Sequence, residues 1–486
     1  MIYEYLLKMN RILIEQKLND IKIAKLLMSK MPKISIKYLM KDFNYKTAFF
    51  LGLGFFGISA VWAAYNSFVP VILKNFALSN AMIGLIMTID NILAVTVQPA
   101  IGALSDRTNT SLGRRKPFIM AGAPVAVICF AMIPFINNLY LLAAVILLMN
   151  LAMAIYRSPV IALMPDTFEP RHRSRANGVI NLMGGLGALI TFFIAGYLFD
   201  LSRQRAFIIV AGILFVSVFF LVILIREKPE MAYEMEEKND GRLERSSIWA
   251  LIFAGLTFCV LYFGGFFKHA LAKIFGSNAQ GSLIVGLAVF AFVIYKIIAG
   301  EIETGVLKFF LAIFFWFFGY NAIETFFTLY CKEEIGLSPG KGTILLGVFS
   351  LGFILAAVPS GILSAKIGRR KIITHGLLAL AAVSILICLS ANVIIIGILM
   401  FAGGAAWAAV NINAYPAICD SAPIGRLGRS TGYYYFFSML AQTLSPPANG
   451  ILIDLSGSYK TVFVTAAVFF LAAVLLTKFL PEKAEY

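Results

Sequence analysis

Three ionisable side chains stand inside otherwise apolar stretches of this 486-residue chain: Asp90 in MIGLIMTIDNILAV, Arg157 in MAIYRSPVIALMPD and Glu324 in FGYNAIETFF. A charge in membrane hydrocarbon costs about 2.5–3.5 kcal/mol on insertion scales, so each is a candidate for work on an ion or polar solute. A carboxyl that alternates between dry and wet surroundings can bind and release a proton, which suits Asp90 and Glu324. Arg157 can pair with such a carboxylate or donate to a solute's hydroxyls. The competing reading is a permanent Asp90–Arg157 ion pair that joins two helices. Lys296 lies close enough to the end of its run to reach the interface and is set aside.

Other chemistry finds little support. Cys129, Cys259, Cys331, Cys388 and Cys419 are scattered through or beside apolar runs without metal-ligand spacing and read as small hydrophobes. There is no nucleophile–base pair, phosphate-binding glycine loop or metal cluster in the loops, so neither an enzyme nor a metal or cofactor site is expected.

The elements that must hold these charges are membrane spans. The chain is 60% hydrophobic and only 14% charged, far from the quarter typical of soluble domains. About 20 apolar residues cross a bilayer as a helix. The runs are Thr47–Leu73, Ala81–Leu104, Pro117–Ile136, Tyr140–Met164, Ala176–Phe199 and Ala206–Ile225, then Ile248–Phe267 and Ser277–Gly300. Phe309–Tyr330, Thr343–Ala365, Ile372–Ser390, Val393–Cys419, Ser430–Ile453 and Thr461–Leu476 complete them. The fold class expected is therefore all-α and integral to the membrane, with about 14 spans read as six, two and six. The division predicted is a basic N-terminal segment 1–46, a bundle 47–226, a charged linker 227–247, an inserted helix pair 248–300 and a second bundle with a short tail 301–486.

The net charge of +16 comes from loops between spans and is not a nucleic-acid signal. Arg107, Arg114, Arg115 and Lys116 follow the second span, Arg171, Arg173 and Arg175 the fourth, and Arg226 and Lys228 the sixth. Lys366, Arg369, Arg370 and Lys371 follow the tenth, Arg426 and Arg429 the twelfth. The positive-inside rule then puts both termini in the cytoplasm of a multi-pass protein of the cell membrane. Arg203, Arg205, Lys268, Lys273, Lys332 and Lys341 dissent, but the dense clusters outweigh them.

The chain repeats itself. MPDTFEPRHRSRANG is echoed by ICDSAPIGRLGRSTG and GYLFDLS by GILIDLS, so that Asp166 answers Asp420 and Asp200 answers Asp454 at one offset. GALSDRTNTSLGRRKPF is echoed by GILSAKIGRRKII. Two matched six-helix halves with a site between them are what a rocking transporter needs. Glu324 falls close to Asn66 in this repeat, so its charge belongs to one half only.

The glycine–acid–arginine loop at 102–116 resembles the signature loop of the major facilitator superfamily. Its expanded spacing, with NLMGGLGALI, FFWFFGYNAIETFFTLY and YYYFFSMLAQTLSPP, resembles bacterial members of the sucrose/proton symporter branch over about residues 45–480. The resemblance implies a major facilitator fold and cation-coupled uptake of a sugar such as a disaccharide. The coupling ion is H+, with Na+ open; efflux of drugs or another small solute is the competing function. It also implies a cytoplasmic gate made by Gly102, Asp106, Arg107, Gly113, Arg114 and Arg115, echoed by Gly368, Arg369 and Arg370. ALMPD resembles the segment whose aspartate binds sugar and proton in that branch, which makes Asp166 the first coupling candidate, ahead of Asp90 and Glu324, with Arg157 as partner. Asp166, like its repeat mate Asp420, is equally readable as a cytoplasmic gate partner of Arg171 or Arg426.

Sugars are held by amides, which bond vicinal hydroxyls in pairs, and by aromatic faces. Asn66, Asn91, Gln98, Asn321, Asn411, Asn413 and Gln442 lie in spans with Tyr156, Tyr320 and Trp407. Glue between helices is the alternative role for each amide. Residues 1–46 have apolar residues at helical spacing and a basic face suited to an anionic leaflet, or are an extension before a start at Met40. A monomer in the lipid bilayer acting on a small molecule is expected.

Overall fold

The computed structural model describes residues 43–225, 227, 304–421 and 427–479. The N-terminal segment before residue 43, the linker beyond 227 and both inserted runs between 248 and 300 lie outside the described residues. The chain divides at Lys46/Thr47 into two units, and the helical bundles belong to the second.

The described helices are α1 (Tyr45–Lys74), α2 (Asn80–Met87), α3 (Ile89–Arg107), α4 (Lys116–Met132), α5 (Leu139–Thr167), α6 (Pro170–Leu201) and α7 (Arg203–Leu224). In the second half they are α8 (Thr304–Glu333), α9 (Pro339–Ile367), α10 (Arg369–Leu389), α11 (Val393–Ser421), α12 (Leu427–Ser456) and α13 (Thr461–Leu476). With α2 and α3 taken together, ten are long and apolar enough to cross a membrane; α12 and the shorter α13 follow them. Every run read outside the insert has a helix at its place, while the fourteen-span count rests on residues outside the description.

Local chemistry sets the ends. Asn138 and Ser338 accept hydrogen bonds from Leu141 N (3.0 Å) and Lys341 N (3.4 Å), capping α5 and α9, and Pro170 and Pro339 begin α6 and α9 where no N–H is needed. The second span departs from expectation. It is interrupted at Thr88, whose hydroxyl donates to Gly84 O (3.3 Å) and Leu85 O (3.0 Å), and Asp90 therefore sits in the first turn of α3 instead of mid-helix.

In the first half α4 packs on α5 and α7, α3 on α5, and α6 on α7; in the second, α11 packs on α9 and α10, and α8 on α12 and α13. The repeat shows in the packing. A carbon added to Gly122 on α4 would stand 2.8 Å from Ala152 O on α5, and one added to Gly376 on α10 would stand 2.9 Å from Ala406 O on α11. Contact between the halves runs mainly along α6 with α9 and α12 with α2. It is tightest at the end away from the basic loops, where Gly340 abuts Gly196 and Gly450 abuts Asn80. It persists to Gly185, facing Ile354 at 3.5 Å, whereas nothing stands within 4 Å of a carbon added to Gly178 or Gly432 nearer the basic loops. The halves thus part toward the basic-loop end.

Candidate transport cavity and gate

Between the halves lies a cavity of about 440 Å3. Trp62 and Asn66, one turn apart on α1, meet Tyr320 and Glu324, one turn apart on α8; Arg157 of α5, Asn181 of α6 and four serines, Ser59, Ser67, Ser350 and Ser384, add to the polar wall. Asn66 Nδ2 donates to Glu324 Oε1 at 3.4 Å, a hydrogen bond from one half to the other. Tyr320 stacks flat on Trp407, with ring centroids 4.2 Å apart and planes 8° from parallel. The remaining wall is largely apolar, with Phe55, Ile161, Phe192 and Phe349 among its members. Asp90 interacts electrostatically with both Arg157 and Glu324, and its buried Oδ1 has no hydrogen-bond partner. A second hollow of about 870 Å3, lined by Phe49, Ile209 and Phe220 between α1 and α7, is almost wholly apolar and offers a solute little to bond.

Asp166 is not at this cavity. At the end of α5 its carboxylate takes Arg114 Nη2 (2.7 Å) and Nε (3.2 Å) together with Arg115 Nε (2.9 Å). Arg115, only 4% exposed, also bonds Asp106, Ser105 Oγ and Gly102 O. Burial opposes its charge, but Asp166 and Asp106 more than offset that and hold its pKa above the ordinary arginine value. The structure adds a member that sequence reading missed. Glu227 accepts from the backbone N–H groups of Arg114 (2.7 Å), Arg115 (3.1 Å) and Lys116 (2.8 Å), a carboxylate on the α4 N-terminus where the helix dipole favours it. The one available signal was an acid just past the last helix of the half, at the basic end. Arg107 is exposed. In the second half Gly368 again precedes the helix with φ +94°, and Arg369 Nη1 donates to Pro416 O at 3.1 Å, with Arg370 half-buried beside it.

Gly113 makes the Glu227 contact possible: its φ is +105°, and a side-chain carbon there would collide with the Glu227 carboxylate. Gly113→Ala is expected to cost about 1–2 kcal/mol through backbone strain and to loosen the Glu227 cap. Thermal unfolding of the purified protein should show a lower Tm; an unaltered Tm would speak against the assignment.

Several expected substrate contacts need correction, because their polar groups are spent inside the bundles. Tyr156 is fully buried and its hydroxyl donates to Gly54 O (3.0 Å). Asn321 and Asn413 turn back on their own helices, donating to Phe317 O (2.8 Å) and Ala409 O (2.9 Å). Asn91 donates to Gln442 O (3.4 Å), linking the halves. Gln98, Asn411 and Gln442 are half-buried away from the cavity wall. Among the residues proposed for substrate, Asn66 and Tyr320 line the cavity, with Trp407 stacked behind. Among the described residues no group of His, Cys, Asp and Glu is placed to hold a metal ion.

The family model described as Major Facilitator Superfamily matches residues 51–304 and 309–486. "Proton-associated sugar transporter A" of Homo sapiens is 27% identical over 172 residues, 32% of this chain and 23% of that protein. "Multidrug resistance protein MdtG" of Proteus mirabilis is 30% identical over 169 residues, 34% of this chain and 42% of its own length. Each match thus spans less than half of the relative. The crystal structure of the nucleoside transporter NupG superposes with a TM-score of 0.65 at 12% identity, covering 89% of this chain and 99% of that one, a likeness of fold. With the family model matched over nearly its whole length beyond residue 50, the chain belongs to the major facilitator superfamily.

Proposed function

We propose that the protein carries a sugar, such as a disaccharide, together with a proton, by alternating access through the cavity between its halves. The observation that carries this reading is the pairing of Asn66 with Glu324 across the cavity, beside the Tyr320–Trp407 stack. An amide and a carboxylate can share vicinal hydroxyls, and an aromatic face covers the apolar side of a pyranose. The relative that handles sugar with protons supports it. Glu324 takes first place as coupling carboxylate because it borders the cavity and touches both halves; Asp90, charge-linked to it and to Arg157, is second. Asp166, held between two arginines, acts in the gate.

The basic-loop end is assigned to the cytoplasm, with both termini there, so the described shape opens inward. Single cysteines at Asn239 and Glu485 are expected to react only from that side; reaction from outside intact cells overturns the assignment. The deciding experiment on function is uptake into proteoliposomes across a panel of sugars, with a pH gradient, a sodium gradient or neither. Sugar accumulation that follows the pH gradient supports the reading, and accumulation that follows sodium alone replaces the ion. A second reading, efflux of an apolar solute, draws on the apolar wall and the multidrug relative. Its expected result is extrusion of lipophilic dyes with no sugar uptake.

A further inference from the structure

The two aspartates that the repeat pairs, Asp200 in GYLFDLS and Asp454 in GILIDLS, do the same thing in opposite directions. Asp200, from α6 of the first half, accepts from Gly340 N at 2.9 Å with one oxygen and from Ser338 Oγ with the other, at the start of α9 in the second half. Asp454, from α12 of the second half, accepts from Asn80 N (2.9 Å), Asn80 Nδ2 (2.8 Å) and Ala81 N (2.9 Å), at the start of α2 in the first half. Each therefore places a carboxylate on the N-terminus of a helix belonging to the other half, where unpaired N–H groups and the helix dipole both favour it. The helices so capped begin alike, SNAMIG and SPGKGT, with Ser79 and Ser338 accepting from the N–H three residues on. Close backbones make the reach possible: Gly340 lies against Gly196, and Gly450 against Asn80 and Ala81. Tyr459 buttresses one of the two, its hydroxyl donating to Asn80 Oδ1 at 2.6 Å.

We propose that Asp200 and Asp454 are a pair of equivalent latches that keep the cavity shut at the end remote from the basic loops and must both release before it opens there. Neither lines the cavity. Every bond accepted by the two carboxylates crosses from one half to the other, so none survives separation of the halves at that end. The two sets share no partner, and their effects on the opening equilibrium should multiply. Charge-assisted bonds at half-exposed helix ends predict a shift of roughly five- to tenfold for each latch removed.

The test reads accessibility and needs no substrate, so it stands or falls independently of the transport reading. In a cysteine-free background, Ser350→Cys places one thiol on the cavity wall. A membrane-impermeant maleimide is applied in vesicles of each orientation. Asp200→Ala and Asp454→Ala should each raise the labelling rate from the side bearing residues 80 and 454 by roughly five- to tenfold, and the double variant by about the product. Labelling from the basic-loop side should fall. Asp200→Asn with Asp454→Asn, which keeps shape and one acceptor while losing charge, should give an intermediate rise and serves if the alanine pair does not fold. Unaltered labelling in the double variants overturns the proposal. A double variant no faster than either single one also overturns it, because the two would then not be separate latches.

Discussion

Replacing Glu324 by glutamine is expected to abolish concentrative uptake while leaving exchange of labelled for unlabelled solute within about threefold of wild type. The basis is geometric: Glu324 is the carboxylate that borders the cavity and accepts a hydrogen bond from the opposite half, through Asn66. Glutamine keeps a carbonyl oxygen for Asn66 and for a solute hydroxyl but carries no titratable proton. One pH unit is worth about 1.4 kcal/mol, so a one-proton symporter accumulates solute about tenfold per unit of gradient. The variant, with no proton to couple, should fall to a ratio of about one, while exchange persists because it moves no net proton and needs only a competent cavity. Asp90→Asn should lower accumulation without abolishing it, since Asp90 acts on the site through charge. If Glu324→Gln accumulates solute like wild type, this residue does not couple, and Asp90 becomes the better candidate.

Asp166→Ala should do something different in kind. It removes the shared partner of Arg114 and Arg115, and the almost wholly enclosed Arg115 is left with the more exposed Asp106 as its carboxylate. Breaking a buried pair outright from one side costs about 3–5 kcal/mol, and the surviving Asp106 contact should hold the loss below that. Purified protein should show a clearly lower Tm, and exchange and accumulation should fall together while solute affinity holds. Combining Asp166→Leu with Arg115→Met should recover part of the lost stability, since the enclosed cation is then gone while the more exposed Arg114 and Asp106 can turn to water. If Asp166→Asn instead kills accumulation and spares exchange, Asp166 is a coupling residue and the gate reading is wrong.

The long apolar runs, the basic loops and the repeat were legible in the sequence because each follows from averages over many residues: hydropathy over twenty positions, charge over a loop, likeness over fifteen. The cluster of loop arginines at 107–116 was legible for the same reason. Less legible was where single polar groups point. Asn66 and Asn413 look alike in sequence, both amides in apolar helices, yet one faces the cavity and the other is spent on the carbonyl four residues back. That difference depends on helix rotation, which no local pattern records when a span is apolar on every face. Tyr156 was misplaced for this cause, its hydroxyl being satisfied by Gly54 O on a neighbouring helix. Asp166 shows the other limit. Its motif resembles a coupling segment, but its partners come from residues 51 and 52 positions earlier, and only the fold brings them together. Thr88 escaped notice because a single threonine in an apolar run carries no helix-breaking signal of its own.

The bond between Asn66 and Glu324 has a consequence for how such a molecule came to be. The halves of this chain echo one another at loop, gate and latch, but facing each other across the cavity they present an amide and an acid. An assembly of two identical halves has no such choice. It puts either two amides at that place, with no proton to move, or two carboxylates a few ångströms apart, which repel and fill the cavity with charge. A single acid opposite a neutral hydrogen-bonding partner exists only where the two halves differ. At this position, divergence of the halves is the condition for the pairing, whereas the rocking scaffold needs only their likeness.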